Sequence, residues 1–320
     1  MKAVRLAAAV AVLLLLFLAF AGAPTRAQFG DPSKVTLKSE PVAPGIFVVE
    51  GADGFAGGNV AVSVGDDGVF LIDDELMPMT AKLKAAVGAL SKKPVRFVIN
   101  THWHADHTGG NGGMAAAGAV LIAHDNARTA LALGQTRQWK GKTISVPPAA
   151  PGALPVLTFA DDVTLHLNGD DVHVFHVAPA HTDGDVIVHF KKANIVHTGD
   201  VFVTRGYPLI DDGSGGKFDG FIAAADRLLQ LCDDHTRIIP GHGPVAGRAQ
   251  LVAWRDMLVK IRDRVAALAA TGKTLEQIKA AHPTADFDVT YAQDFVKGED
   301  LVDDIYKTRA PAAPAKRRSK

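Results

Sequence analysis

Three histidines and one aspartate crowd into the run Thr101-His102-Trp103-His104-Ala105-Asp106-His107. Neutral imidazole and carboxylate are the usual protein ligands for zinc and similar divalent ions. Packing such groups together without a cation is costly, because each needs a polar partner and most prefer solvent. One histidine alone is an ordinary surface or core residue. The full H-x-H-x-D-H spacing points to metal chemistry.

The elements around the run must place it where a site can form. Val95-Arg96-Phe97-Val98-Ile99, led by Pro94 and rich in β-branched residues, reads as a buried strand. Gly109, Gly110, Gly112 and Gly113 follow the run and suit a tight turn. The histidines therefore fall on a loop at the C-terminal end of a strand, a preferred place for function in layered α/β structures.

In these residues the chain resembles the metallo-β-lactamase-fold hydrolase superfamily, whose signature continues with a distant His, then Asp or Cys, then His. The later members stand in order: His181 in Pro179-Ala180-His181-Thr182-Asp183-Gly184-Asp185, Asp200 in His197-Thr198-Gly199-Asp200, and His242 in Pro240-Gly241-His242-Gly243-Pro244. The resemblance runs from about Gly45 to Pro244. It implies an α/β fold, the αβ/βα four-layer sandwich, with two sheets face to face and helices outside. It also implies a ligand set: His102, His104 and His181 for a first zinc, Asp106, His107 and His242 for a second, and Asp200 bridging the two. A hydroxide held between the metals would then be the nucleophile, since coordination lowers the pKa of water to about 7. Asp106 would orient it and pass a proton towards the leaving group. Iron or manganese also suits an N/O ligand set.

The resemblance narrows the substrate less. Di-zinc β-lactamases with a cysteine ligand carry it where this chain has Asp200. Asp200 together with His107 looks more like glyoxalase II, lactonases and related hydrolases. The Thr101–Asn111 surroundings resemble exported members grouped near β-lactamases and quinoprotein-linked hydrolases. The expected activity is hydrolysis of a small-molecule ester, thioester, lactone or β-lactam. The alternative is a non-catalytic metal- or partner-binding module that retains the fold; the complete ligand set and Asp106 argue against it.

The rest of the chain supplies the frame. Strands are expected at Gly45–Glu50, Asn59–Val64 and Val69–Ile72, with Gly51–Gly58 as a hairpin loop. In the superfamily that loop overhangs the metals, so Phe55 is an apolar contact there or an exposed loop aromatic. By the same resemblance Asp73 orients a ligand histidine, unless it is a solvated turn acid. Pro78–Leu90 reads as a helix, Ala119–Ala123 as a strand, and Asp125 as the N-cap of a helix to about Leu133. Residues 134–155, with four prolines, read as a long irregular insert of the kind often used as a lid or binding loop, with Trp139 a candidate for substrate contact. Val163–Leu167 and Val172–Val177 alternate like paired strands, which makes His166, His173 and His176 structural, as is His124. Thr204–Gly216, with Tyr207 and Pro208, reads as a pocket wall. Helices are expected at Phe218–Cys232, Arg248–Ala270, from the Thr274-Leu275-Glu276-Gln277 capping box, and at Tyr291–Arg309.

Composition sets the bounds. The chain has 320 residues, 48% hydrophobic and 21% charged, as in ordinary globular proteins. Lys2 and Arg5, the apolar stretch Leu6–Phe20 and Thr25-Arg26-Ala27 read as a signal peptide over residues 1–27. An uncleaved anchor is the other reading, but a bilayer span needs about 20 residues. The expected location is periplasmic or secreted, with no stable membrane insertion after cleavage. The one cysteine, Cys232, excludes an internal disulfide and sits in a helical apolar pattern. Losing Lys2, Arg5 and Arg26 leaves 31 basic against 34 acidic residues, a mildly acidic body that argues against nucleic-acid binding. One hydrolase domain is expected over residues 28–309, with a disordered basic tail at 310–320. Nothing in the sequence bears on oligomeric state.

Overall fold

The computed structural model describes residues 31–139 and 142–309. The expected signal peptide, 1–27, and basic tail, 310–320, lie outside the described residues. Among the described residues no helix is long and apolar enough to cross a membrane.

The first half builds one sheet. β1 (Leu37–Ala43), β2 (Ile46–Gly51), β3 (Val60–Gly65) and β4 (Gly68–Ile72) form an antiparallel meander. Helix α1 (Thr80–Leu90) then crosses over to β5 (Val95–Ile99), which runs parallel to β4. Two short helices, α2 (Ala105–Thr108) and α3 (Asn111–Ala116), lead to β6 (Val120–His124), parallel to β5. Helix α4 (Asp125–Leu133) precedes an antiparallel hairpin, β7 (Gln135–Trp139) and β8 (Lys142–Val146). Strand β9 (Leu157–Phe159) returns to the sheet beside β6.

The second half builds the facing sheet. β10 (Asp162–Leu167), β11 (Asp170–His176), β12 (Val186–Phe190) and β13 (Ile195–His197) pair antiparallel in order. Helix α5 (Phe218–Leu231) crosses to β14 (Arg237–Ile239), parallel to β13. Four helices close the chain: α6 (Arg248–Ala270), α7 (Leu275–Lys279), α8 (Ala285–Tyr291) and α9 (Gly298–Arg309).

Strand alternation explains the layers. Phe70, Ile72 and Ile99 of the first sheet bury against Val186, Val188 and Phe190 of the second. Phe70 stacks on Phe190 at 5.9 Å across that interface. Val69, Leu71 and Val98 point the other way, onto Leu83 and Val87 of α1. Phe175, Ile187 and Ile238 likewise meet α5, α6 and α9. A strand covered on both faces has no polar side, which is why β4 reads as a continuous apolar run. The result is the expected αβ/βα sandwich.

Several local expectations need correction. The stretch 134–155 is not irregular throughout: Thr136, Ile144 and Val146 suit strands, and the prolines gather after β8, where no ladder needs their N–H. The side chain of Trp139 lies outside the described residues. The N-cap of α4 is His124, not Asp125; its Nδ1 accepts from Asn126 N at 3.2 Å. The Tyr291–Arg309 helix is two helices. The break at Ala292–Lys297 lets Asp300 reach back to Lys297 N at 2.8 Å and start α9 afresh. Gly109 and Gly110 do form the expected tight turn, between α2 and α3, with αR backbone angles at both positions. Their small size matters as well, since a Cβ on Gly110 would lie 2.6 Å from Asp74 O.

Candidate metal centre

Four strand ends deliver the polar residues to one rim. The run His102–His107 follows β5, His181 follows β11, Asp200 follows β13 and His242 follows β14. The structure brings all seven side chains together in three overlapping groups able to hold a metal ion: His102, His104 and His181; His102, His107 and Asp200; and Asp106, His107 and His242. Within each group the ligand atoms lie within 4.8 Å of one another.

The ring tautomers follow from what each imidazole meets on its outer side. His107 Nδ1 donates to Asp73 Oδ2 at 2.8 Å. His104 Nε2 donates to Asp211 Oδ2 at 2.8 Å. His181 Nδ1 donates to the Leu209 carbonyl at 2.7 Å. The Thr101 hydroxyl donates to Asp73 Oδ2, so it accepts from His102 Nδ1 at 3.0 Å. For His102, His104 and His181 the ring proton is thus spent outward and the remaining nitrogen turns a lone pair inward, whereas Asp200, Asp73 and Asp106 hold His107 well above the usual imidazole range in the metal-free chain.

Those lone pairs provide a test of fit for a metal. His102 Nε2 is buried with no hydrogen-bond partner. His104 Nδ1 and His181 Nε2 face each other at 2.7 Å. Two acceptors at that distance repel unless a cation joins them. His107 Nε2 lies 3.2 Å from Asp200 Oδ1, and His242 Nε2 lies 3.3 Å from Asp106 Oδ2. The donor set of imidazole and carboxylate fits divalent ions.

The electrostatics of the chain alone point the same way. Burial disfavours charge on His242, yet Asp200 and Asp106 outweigh it and push the pKa up to about 10. Burial would raise Asp106 and Asp200, yet His107 and His242 hold both below the usual carboxylate range. Burial, with His107 and His181 beside it, drives His102 well below the usual imidazole value, so it stays neutral as a ligand must. The rim as a whole attracts positive charge.

Close backbone approach makes room for these rings. A Cβ on Gly58 would lie 2.1 Å from the His107 ring, and one on Gly241 would lie 2.0 Å from Asp200 Oδ1. Asn59 ties the last ligand loop down through Pro240 O and Gly243 O, both at 2.8 Å. Phe55, half-buried, stacks on the His242 ring at 5.6 Å, so the first hairpin loop does overhang the rim.

Asp73 and Asp74 are fully buried, not solvated turn acids. Asp73 takes Thr101 N as well, at 2.7 Å, and so holds the start of the motif. The loop Thr204–Gly216 meets the site through Leu209 and Asp211, which the sequence did not single out. Tyr207 instead turns away, donating to Asp288 Oδ1 at 2.8 Å and stacking on Tyr291. The other histidines have structural partners. His124 stacks on His176 at 3.9 Å, His166 pairs with Asp171 at 2.6 Å, and His173 lies 3.6 Å from Asp162. Cys232 is buried, its thiol pushed up to about 11 by burial and Asp233.

Residues 53–242 match the family model described as the metallo-beta-lactamase superfamily, more than half of the chain. The chain belongs to that superfamily. The chain is similar to the 2,4-dinitroanisole O-demethylase subunit alpha of Nocardioides sp. (strain JS1661), 26% identical, with 56% of this chain matching 50% of that one. The human acyl-coenzyme A thioesterase MBLAC2 is 27% identical, over 50% of this chain and 60% of that protein. The hydroxyacylglutathione hydrolase of Polaromonas sp. is 30% identical, over 56% and 60%. The match therefore spans half to three-fifths of the length of these relatives. Two solved structures share the fold. The sec-alkylsulfatase Pisa1 from Pseudomonas sp. has a TM-score of 0.61 at 18% identity, covering 86% of this chain and 50% of that one. The DIM-1 metallo-beta-lactamase has a TM-score of 0.55 at 21% identity, covering 71% and 99%.

Proposed function

We propose that the chain is an exported metal-dependent hydrolase acting on an ester, thioester, lactone or β-lactam carbonyl. The observation that carries this reading is the convergence of five imidazoles with Asp106 and Asp200 into three overlapping groups, each with its ligand atoms within 4.8 Å of one another. In this reading His102, His104 and His181 would hold one zinc ion and Asp106, His107 and His242 a second, with Asp200 available to either. Bound ions supply Lewis acidity and a water made acidic enough to attack at neutral pH.

The chain's own residues do the rest. Asp106 and His242 keep 23% and 22% of their side chains exposed, against 0% for His107, so they form the open side of the rim. Asp106 is ionised and placed to take the proton of an attacking water and return it to the leaving group. Asp200, 11% exposed and held ionised beside His107 and His242, is acceptor-only and would help to orient the same water. Phe55 covers the His242 side and limits solvent access there. No serine or cysteine nucleophile is required, and the buried Cys232 is unsuited to be one.

The thioesterase and glutathione-hydrolase relatives favour thioesters and related acyl compounds. The Asp200 position, where cysteine-ligand β-lactamases have Cys, makes β-lactam turnover the secondary expectation. The test is a panel: a chromogenic cephalosporin, an acyl-CoA, a glutathione thioester, a lactone and an aryl ester. Each is run with zinc-loaded protein and with a chelated control. Chelator-sensitive turnover of any member is the expected result. Full metal loading with no turnover of the whole panel would instead favour a non-catalytic binding module.

A further inference from the structure

We propose that Asp211 is a positioning residue that tunes one half of the metal centre, the His102–His104–His181 group, and leaves the other half alone. This rests on the reading of that group as a metal site. The relevant geometry is the outer side of the three rings. His102 is backed by a hydroxyl, Thr101, and His181 by a backbone carbonyl, Leu209. Only His104 is backed directly by a carboxylate, at 2.8 Å. A histidine that donates to a carboxylate is fixed in tautomer and is a more basic ligand. The other half of the centre has its own negative charge, from Asp106 within it and Asp73 behind His107.

Asp211 is held for this task. It is 1% exposed, and Ser214 Oγ donates to the same Oδ2 at 3.0 Å. Its backbone N–H donates to the His181 carbonyl at 3.0 Å, and its carbonyl accepts from Gly216 N at 2.8 Å. One loop therefore grips both His104 and His181, through residues two apart. Burying a carboxylate is costly unless positive charge lies close. A cation shared by His104 Nδ1 and His181 Nε2 would supply that charge through the His104 ring.

The test is a zinc titration of the full chain against a chromophoric chelator, for wild type, Asp211→Asn and Asp211→Ala. Cobalt absorption spectra serve as a second readout. Asp211→Asn keeps an oxygen that can accept from His104 Nε2 but removes the charge, so it carries the test if Asp211→Ala fails to fold. The expected result is a loss of about 10- to 100-fold in affinity for one of two ions. The loss should be smaller in the Asn variant, with the second ion unchanged and one set of cobalt bands altered. Equal weakening of both ions, or of neither, overturns the proposal while wild type still binds two. A wild-type chain that binds no ion overturns the functional reading and the proposal together.

Discussion

Asp73 accepts the His107 Nδ1 proton at 2.8 Å with both side chains completely buried. The same oxygen accepts the Thr101 hydroxyl at 2.8 Å, and Thr101 in turn receives His102 Nδ1. One carboxylate thus stands behind a histidine of each half of the centre. Asp73→Ala should weaken both ions, each by about 10- to 100-fold, because losing such an outer partner frees the ring. The same chelator titration reads this. Weakening confined to a single ion would mean that the Thr101 relay does not orient His102. Together with Asp211→Ala, the pair makes a contrast between a shared and a one-sided support.

Asp106 and His102 should separate chemistry from metal binding. Asp106→Asn keeps the size and one acceptor oxygen but removes the proton acceptor. Turnover should fall by about 10²- to 10⁴-fold, the usual range for a general acid–base group. Metal content should change little. His102→Ala removes a buried lone pair common to two of the metal-holding groups, so metal and turnover should be lost together. Metal analysis beside kcat distinguishes the two variants. An Asp106→Asn protein with full activity would show that proton transfer runs through another group.

The parts legible in the sequence were those in which neighbours in the chain are neighbours in space. His102, His104, Asp106 and His107 are local, and their strand and the periodic helices announce themselves by pattern. Asp73 was readable by resemblance at a strand end. Asp211 was not, because its partner His104 is 107 residues away and only the closure of two sheets brings them together. Leu209 offers a backbone carbonyl, which carries no side-chain signal at all. The β7–β8 hairpin was hidden by the prolines that follow it, and the close packing of Gly110 on Asp74 was not legible because glycine serves close packing as well as tight turns.

Removing metal should cost stability as well as activity. His104 Nδ1 and His181 Nε2 at 2.7 Å repel once nothing positive lies between them. A ligand that binds only the folded chain stabilises it by about 2.7 kcal/mol at a concentration 100-fold above its Kd. Thermal unfolding with and without a chelator should show a clear fall in midpoint, restored by added zinc. An unchanged midpoint would argue that no ion binds the native chain under those conditions.

Glu75 gives the metal-free chain a pH signature. It is fully buried at a positive φ of 68°, and neither carboxylate oxygen has a hydrogen-bond partner. Burial raises its pKa from 4.5 to about 8, against the pull of His107 and His242. The folded pKa lies above the unfolded one, so folding favours the protonated form. The stabilisation is complete below about pH 4.5 and is lost as pH rises through about 8. Each pH unit in that window should cost up to about 1.4 kcal/mol. Glu75→Gln keeps the shape and cannot ionise. Urea unfolding of chelated protein across pH 5 to 8 should show wild type losing stability relative to the Gln variant as pH rises. Parallel curves would mean that Glu75 remains ionised in the folded chain, with a partner supplied by bound water.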